Sequence, residues 1–132
     1  MSLSLSLVLD SRATTVLGRR DRQTAARITA LRLRGLWPPI VPTAVLVDSL
    51  TGNRIRDALV NRTVGLSLVY PLDEPLARRA AQLRGRARAG STVDAIVVAT
   101  AELFETLVVT GDLHGLARLS RHASGVALLA AS

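Results

Sequence analysis

Short apolar runs separated by helix-like segments constrain this chain more than any other feature. Residues 2–9 alternate small polar and apolar side chains, the period-two pattern of a strand. Four further runs, at 40–41, 64–69, 107–110 and 126–129, are too short for helices and sit beside proline, glycine or aspartate. Helical patterns fill the intervals at 13–17, 21–33, 43–50, 54–61, 73–89, 95–104 and 112–121. Their punctuation is explicit. Asp10 and Ser11 suit the cap of the first helix, Gly35 closes the second, Thr43 suits the cap of the third, and Gly52-Asn53 separates it from the next. Pro71 ends one strand, Gly85 is the weak point of the arginine-rich helix, and Ser91-Thr-Val-Asp94 has capping-box spacing. Strands alternating with helices predict a parallel α/β sheet covered on both faces.

The chain has 132 residues, enough for one domain spanning 1–132, and 48% of them are hydrophobic. Trp37, Tyr70 and Phe104 are its only aromatic residues, so the core must be aliphatic. Without cysteine there are no disulfides and no thiolate metal ligands. No stretch approaches the ~18 apolar residues of a membrane span, and no basic segment leads into an apolar run at the start. A cytoplasmic location is expected.

All seventeen basic residues are arginine, and the net charge is +7. Genomic codon bias accounts for such a composition, and so does phosphate recognition, because guanidinium forks match phosphate oxygens in pairs. The charge favours a polyanion, either nucleic acid or an acidic peptide. The missing lysine excludes more. P-loop NTPases need one on their phosphates. Receiver domains and haloacid-dehalogenase-like phosphatases also rely on one, and the latter want a second aspartate where Arg12 stands. Another α/β phosphohydrolase acting on a small phosphate ester is disfavoured on the same two grounds.

Only ten acidic residues exist, so their places carry information. Asp10 ends the first strand and Asp112 follows the 107–110 strand. Both belong at the carboxyl edge of a parallel sheet, where ligands bind. Asp94 opens a helix that starts from the same edge. Each of the three also reads as a helix cap or first-turn acid, a role worth ~1 kcal/mol. Asp48 does not. It lies in the apolar run Val45-Leu-Val-Asp-Ser-Leu50 with no cation three or four residues away, so burial there would demand a partner from elsewhere. A shared metal ion supplies one.

Four segments in this order resemble the PIN-domain family. Val8-Leu-Asp10-Ser-Arg-Ala13 resembles its opening strand and first acid, and Val41-Pro-Thr-Ala-Val-Leu-Val-Asp48 the segment of its second. Val93-Asp94-Ala-Ile-Val-Val-Ala99 is similar to the third acidic helix, and Leu107-Val-Val-Thr110-Gly-Asp112-Leu to the last strand and fourth acid. The match covers nearly the whole chain. Within the family, Leu72-Asp-Glu-Pro-Leu-Ala-Arg-Arg-Ala80 looks most like the VapC-type toxins of bacterial VapBC toxin–antitoxin pairs. The resemblance implies a three-layer α/β/α sandwich with a short, mostly parallel central sheet. It implies a Mg²⁺- or Mn²⁺-dependent endoribonuclease that leaves a 5′-phosphate, with Asp10, Asp48, Asp94 and Asp112 as metal and catalytic carboxylates. It also implies an RNA substrate, a small antitoxin encoded nearby, and a homodimer. Two features depart from the family pattern: Asp48 is one methylene shorter than the usual glutamate, and many members carry a further aspartate shortly after the fourth acid, in the region where Gly115 stands here. These departures support an alternative in which a catalytically weakened PIN domain binds RNA or an antitoxin.

Oxygen ligands suit hard divalent ions. Ser11 and Thr110 have no adjacent base, so they are expected to orient Asp10, Asp112 or water. His114 and His122 are expected to be surface or structural residues. In the run Arg78, Arg79, Arg84, Arg86 and Arg88, the last three are candidates for RNA phosphates, and a solvated helix face is the competing reading. Trp37 and Tyr70 are expected to be structural rather than base-stacking.

Overall fold

The computed structural model describes residues 6–132. The strand predicted over 2–9 therefore lies partly outside the described residues, which show β1 at Val8–Leu9. α1 (Ser11–Val16) and α2 (Arg22–Leu33) lead to β2 (Ile40–Pro42), followed by α3 (Thr43–Ser49) and α4 (Ala58–Gly65). After β3 (Leu68–Tyr70) come α5 (Glu74–Ala87), α6 (Thr92–Phe104), β4 (Leu107–Thr110), α7 (Leu113–Ser120) and β5 (Ala127–Ala130).

The strands form one sheet in the order β3-β2-β1-β4-β5, and every pairing is parallel. The expected mostly parallel sheet is wholly parallel among the described strands. This order dictates the layers. From β1 the chain steps outward to β2 and β3, then crosses back over β1 to β4 and β5. Right-handed crossovers must then place the helices of the first half on one face and those of the second on the other. Most of the packing follows this rule: α1 meets α3 and α4, while α5, α6 and α7 pack together, and α3 of the first group also reaches α6. Helix α6 lies on β1, β2 and β4, and all of Ala95, Ile96, Val97, Val98, Ala99, Thr100 and Ala101 are buried. Thr100 is accommodated because its hydroxyl donates to the Ile96 carbonyl at 2.7 Å. Among the described residues, no helix is long and apolar enough to cross a membrane.

Three local expectations need correction. The helix predicted over 54–61 begins only at Ala58. Asp57 instead accepts bonds from the Thr51 and Gly52 N–H groups and the Thr51 hydroxyl, closing residues 51–57 as a loop. Burial of Val60 and Thr63, three apart, then carries α4 to Gly65, so the strand predicted over 64–69 starts at Leu68. Thr43 is not a cap either: Pro42 takes that place, and the Thr43 hydroxyl accepts from the Leu72 N–H at 3.1 Å.

Tyr70 and Phe104 meet edge to face at 5.0 Å and Trp37 packs against the core, as structural aromatics do. Gly18 sets the closest backbone approach between α1 and α4. A Cβ there would lie 2.0 Å from the Leu59 carbonyl oxygen, and that backbone atom has no rotamer to escape into. Gly18→Ala is expected to destabilise the chain by roughly 1–3 kcal/mol through overpacking. Urea unfolding should show a lower midpoint with an unchanged slope; an unchanged midpoint would mean that the two helices separate without cost.

Candidate active site

In the order β3-β2-β1-β4-β5 the crossovers reverse direction at β1, so a crevice opens between the carboxyl ends of β1 and β4. Asp10 sits at that crevice with only 5% of its surface exposed. Its burial is compensated by three donors. Oδ1 accepts from the Ala13 N–H at 2.8 Å, and Oδ2 from the Thr110 hydroxyl at 2.5 Å and the Gly111 N–H at 3.1 Å. The Thr110 oxygen in turn accepts from the Asp112 N–H at 2.8 Å. One hydroxyl therefore links two of the candidate acids.

Asp112 is exposed and caps α7, its Oδ1 accepting from the Gly115 N–H at 2.9 Å. A Cβ on Gly115 would lie 2.2 Å from Asp112 Oδ2. A side chain at this position would therefore press on the tip of Asp112. Asp94 is half-buried in the first turn of α6, where its N–H donates to the Ser91 hydroxyl at 3.0 Å. Asp48 corrects the expectation of an apolar setting. It is exposed near the end of α3, and its partner is Ser11, whose hydroxyl donates to Oδ2 at 2.5 Å across 37 residues of chain. Capping and membership of the acidic group thus coincide for Asp10 and Asp112.

Electrostatics joins the four. Burial pushes the Asp94 carboxyl above the ordinary aspartate value. The bond from Ser91 opposes this, and the charges of Asp10, Asp112 and Asp48 add to it. Among the described residues the ion pairs are Arg78–Glu74 and Arg79–Glu102, so no arginine neutralises any of the four. The donor set is entirely carboxylate and hydroxyl oxygen, which fits a hard divalent cation. Yet among the described residues no three acidic or histidine side chains are gathered as ligands of one point. The carboxylates share a field rather than a coordination sphere.

The remaining candidates sort by their contacts. Arg78 pairs with Glu74 one turn back. Arg79 grips Glu102 through two bonds at 2.6 and 2.9 Å and also donates to the His122 carbonyl, so it clamps α5 to α6 and to the end of α7. That bond holds Glu102 below the ordinary glutamate range. Arg84, Arg86 and Arg88 are exposed; Arg84 Nε donates to the Gly90 carbonyl, and Arg88 ends α5 in the left-handed conformation. His114 is exposed and His122 half-buried. Sequence reasoning missed the Ser11–Asp48 pair, because contacts between distant segments have no local signal.

No family model and no curated protein sequence matches the chain. Among solved structures, a chain in the structure of FitAB bound to the IR36 DNA fragment is similar with a TM-score of 0.66. The match covers 95% of this chain and 94% of that one, at 19% identity. The fold is a PIN-like α/β/α sandwich.

Because the folded state raises the Asp94 pKa, ionising Asp94 weakens that state. The contribution of Asp94 to stability is fullest in acid, where it is protonated folded or unfolded, and falls as pH rises from the ordinary aspartate value through the raised one. With a chelator present, Asp94→Asn is expected to melt above wild type at neutral pH, the gap closing in acid. Equal melting at neutral pH would show that neither burial nor the neighbouring carboxylates penalise the charge on Asp94.

Proposed function

We propose that the chain is a Mg²⁺- or Mn²⁺-dependent endoribonuclease and the toxin of a type II toxin–antitoxin pair. The observation that carries this reading is the half-buried Asp94, its carboxyl pushed up by burial and by three other aspartates, with no arginine among the described residues to relieve them. Uncompensated carboxylates at a sheet crevice are costly, and a bound cation removes that cost. The arginine-only charge of +7 and the likeness in fold to a chain of FitAB, solved on DNA, support a nucleic acid as the polyanion.

In this reading Asp10, Asp94 and Asp112 hold the cation, with Asp48 assisting. The cation supplies Lewis acidity, offsetting charge on the phosphodiester and favouring attack by water. A water oxygen forms a bond to phosphorus as the bond from phosphorus to the 3′ oxygen breaks. One water proton ends on that oxygen, leaving a 5′-phosphate and a 3′-hydroxyl. The Thr110 hydroxyl donates to the Asp10 carboxylate and the Ser11 hydroxyl to that of Asp48, and in this reading both orient those carboxylates. The Gly115 N–H fixes Asp112 against α7. The small antitoxin, the homodimer and the cytoplasmic setting belong to the same proposal, and exposed Arg84, Arg86 and Arg88 are its candidate contacts to RNA phosphates.

One observation favours a second reading. Because no three of these acids form a ready ligand set among the described residues, a weakened PIN domain that binds RNA or an antitoxin without cutting fits the same geometry.

Asp94→Asn removes charge but little volume. It is expected to abolish Mn²⁺ binding in calorimetry and to cut RNA cleavage by more than the ~100-fold typical of losing a residue that merely supports a ligand. Expression of wild type alone should slow growth, and co-expression with the product of an adjoining small reading frame should reverse it. Mn²⁺ binding without RNA cleavage would select the second reading, and a harmless chain would end the toxin reading.

A further inference from the structure

A cation stands beside the acidic crevice without joining it. Arg12 is the second residue of α1, two positions after Asp10, and it is exposed. Its stem lies directly against Gly111. A Cβ on that glycine would lie 2.2, 2.5 and 2.6 Å from Arg12 Cδ, Cγ and Cβ. Gly111 is not a residue of positive φ, so close approach, not backbone freedom, is what requires glycine there. Gly111 also donates to Asp10 Oδ2, so the arginine is anchored within one residue of the buried acid.

Two features of this placement, taken together, suit an anionic ligand. Among the described residues Arg12 forms neither an ion pair nor a side-chain hydrogen bond, although the acidic group lies on the same sheet edge. Arg78 and Arg79, by contrast, are held by glutamates. Arg12 also walls a cleft of about 330 Å³ running from Thr110 and Gly111 to the end of β5, lined further by Val16, Leu113, Ala130 and Ala131. The cleft is part polar and part apolar, opens beside the carboxylates, and has an unpaired guanidinium at its side. A nucleotide has that composition, an anionic phosphate on a flat, largely apolar body.

We infer that Arg12 is a substrate-positioning residue, receiving the phosphate next to the scissile one and leading the strand over Gly111 toward β5. This rests on the nuclease reading for the word scissile, but the binding it describes does not require cleavage. A guanidinium fork engages two phosphate oxygens at once, and its stem, braced on Gly111, loses little freedom in doing so. Direction along the strand follows from the layout: cleavage at the β1–β4 crevice, grip on the β5 side.

The test is binding of a short labelled single-stranded oligoribonucleotide, followed by anisotropy across a salt series in the Asp94→Asn background. Arg12→Gln keeps the Cβ, Cγ and Cδ atoms that pack on Gly111 and deletes the charge. Affinity should fall roughly tenfold whatever the base sequence, and the slope of log affinity on log salt should become shallower by ~0.7, one phosphate contact on a single strand. Arg12→Lys should recover the slope but not the full affinity. In cleavage by an otherwise wild-type chain, Arg12→Gln should raise KM about tenfold with kcat changed less than about twofold. Unchanged affinity and slope would overturn the inference, as would an equal loss from Arg32→Gln, which removes an exposed arginine of α2 outside the cleft. Arg12-dependent binding by a chain that cuts no RNA would sink the nuclease reading and leave this one standing. Cleavage indifferent to Arg12 would do the reverse, and a chain that binds no oligoribonucleotide would remove both.

Discussion

The hydrogen bond from the Thr110 hydroxyl to the Asp10 carboxylate is the contact on which the rest of the carboxyl edge depends. Burying an aspartate costs several kcal/mol unless donors meet it. Here one donor is local, the first turn of α1, and two are brought in only by the finished fold, the last residue of β4 and the turn after it. The parallel pairing of Val8 with Val108 and of Leu9 with Val109 puts Thr110 beside Asp10. The register of the central strands and the satisfaction of the buried charge are thus one condition. A slip of one residue would turn Thr110 to the opposite face and take from Oδ2 its hydroxyl donor, leaving the local Ala13 bond to Oδ1.

From that point the geometry spreads outward with falling burial. Asp10 is enclosed, Asp94 half-enclosed, and Asp48 and Asp112 are open to solvent. In the proposed nuclease this gradient would let a small ion exchange and a large substrate enter. The inner acid is preorganised by protein donors, while the outer two keep surface for water. The edge remains a place of unrelieved negative charge on a chain whose net charge is strongly positive, a local conflict of the kind functional sites impose on stability.

Much of this was readable in the sequence, and the reasons are specific. The acids at 10, 94 and 112 were found because each follows a strand or opens a helix, and in a parallel sheet such positions share one edge. The short β2 was read from its flanking prolines. What went astray was governed by contacts between segments. Residues 54–57 carry local helix formers, but Asp57 spends its carboxylate on Thr51 and Gly52, and α4 consequently starts late. Val64 was read as the start of a strand, yet burial of Val60 and Thr63 keeps Val64 and Gly65 in α4, and Leu66 caps it. Asp48 was singled out on a premise of burial that the fold does not meet, and its partner, Ser11, lies in a different helix. Arg79 was grouped with solvent-facing arginines because its glutamate lies twenty-three positions away.

The packing of Arg12 on Gly111 also limits how such a chain can change over generations. With the arginine in place, any side chain at 111 would intrude on the base of its stem, not merely its mobile tip. Trimming residue 12 brings little relief, because its Cβ alone lies 2.6 Å from where a Cβ at 111 would stand. The freedom of position 111 is therefore set by the backbone: it widens only if α1 and the turn after β4 move apart.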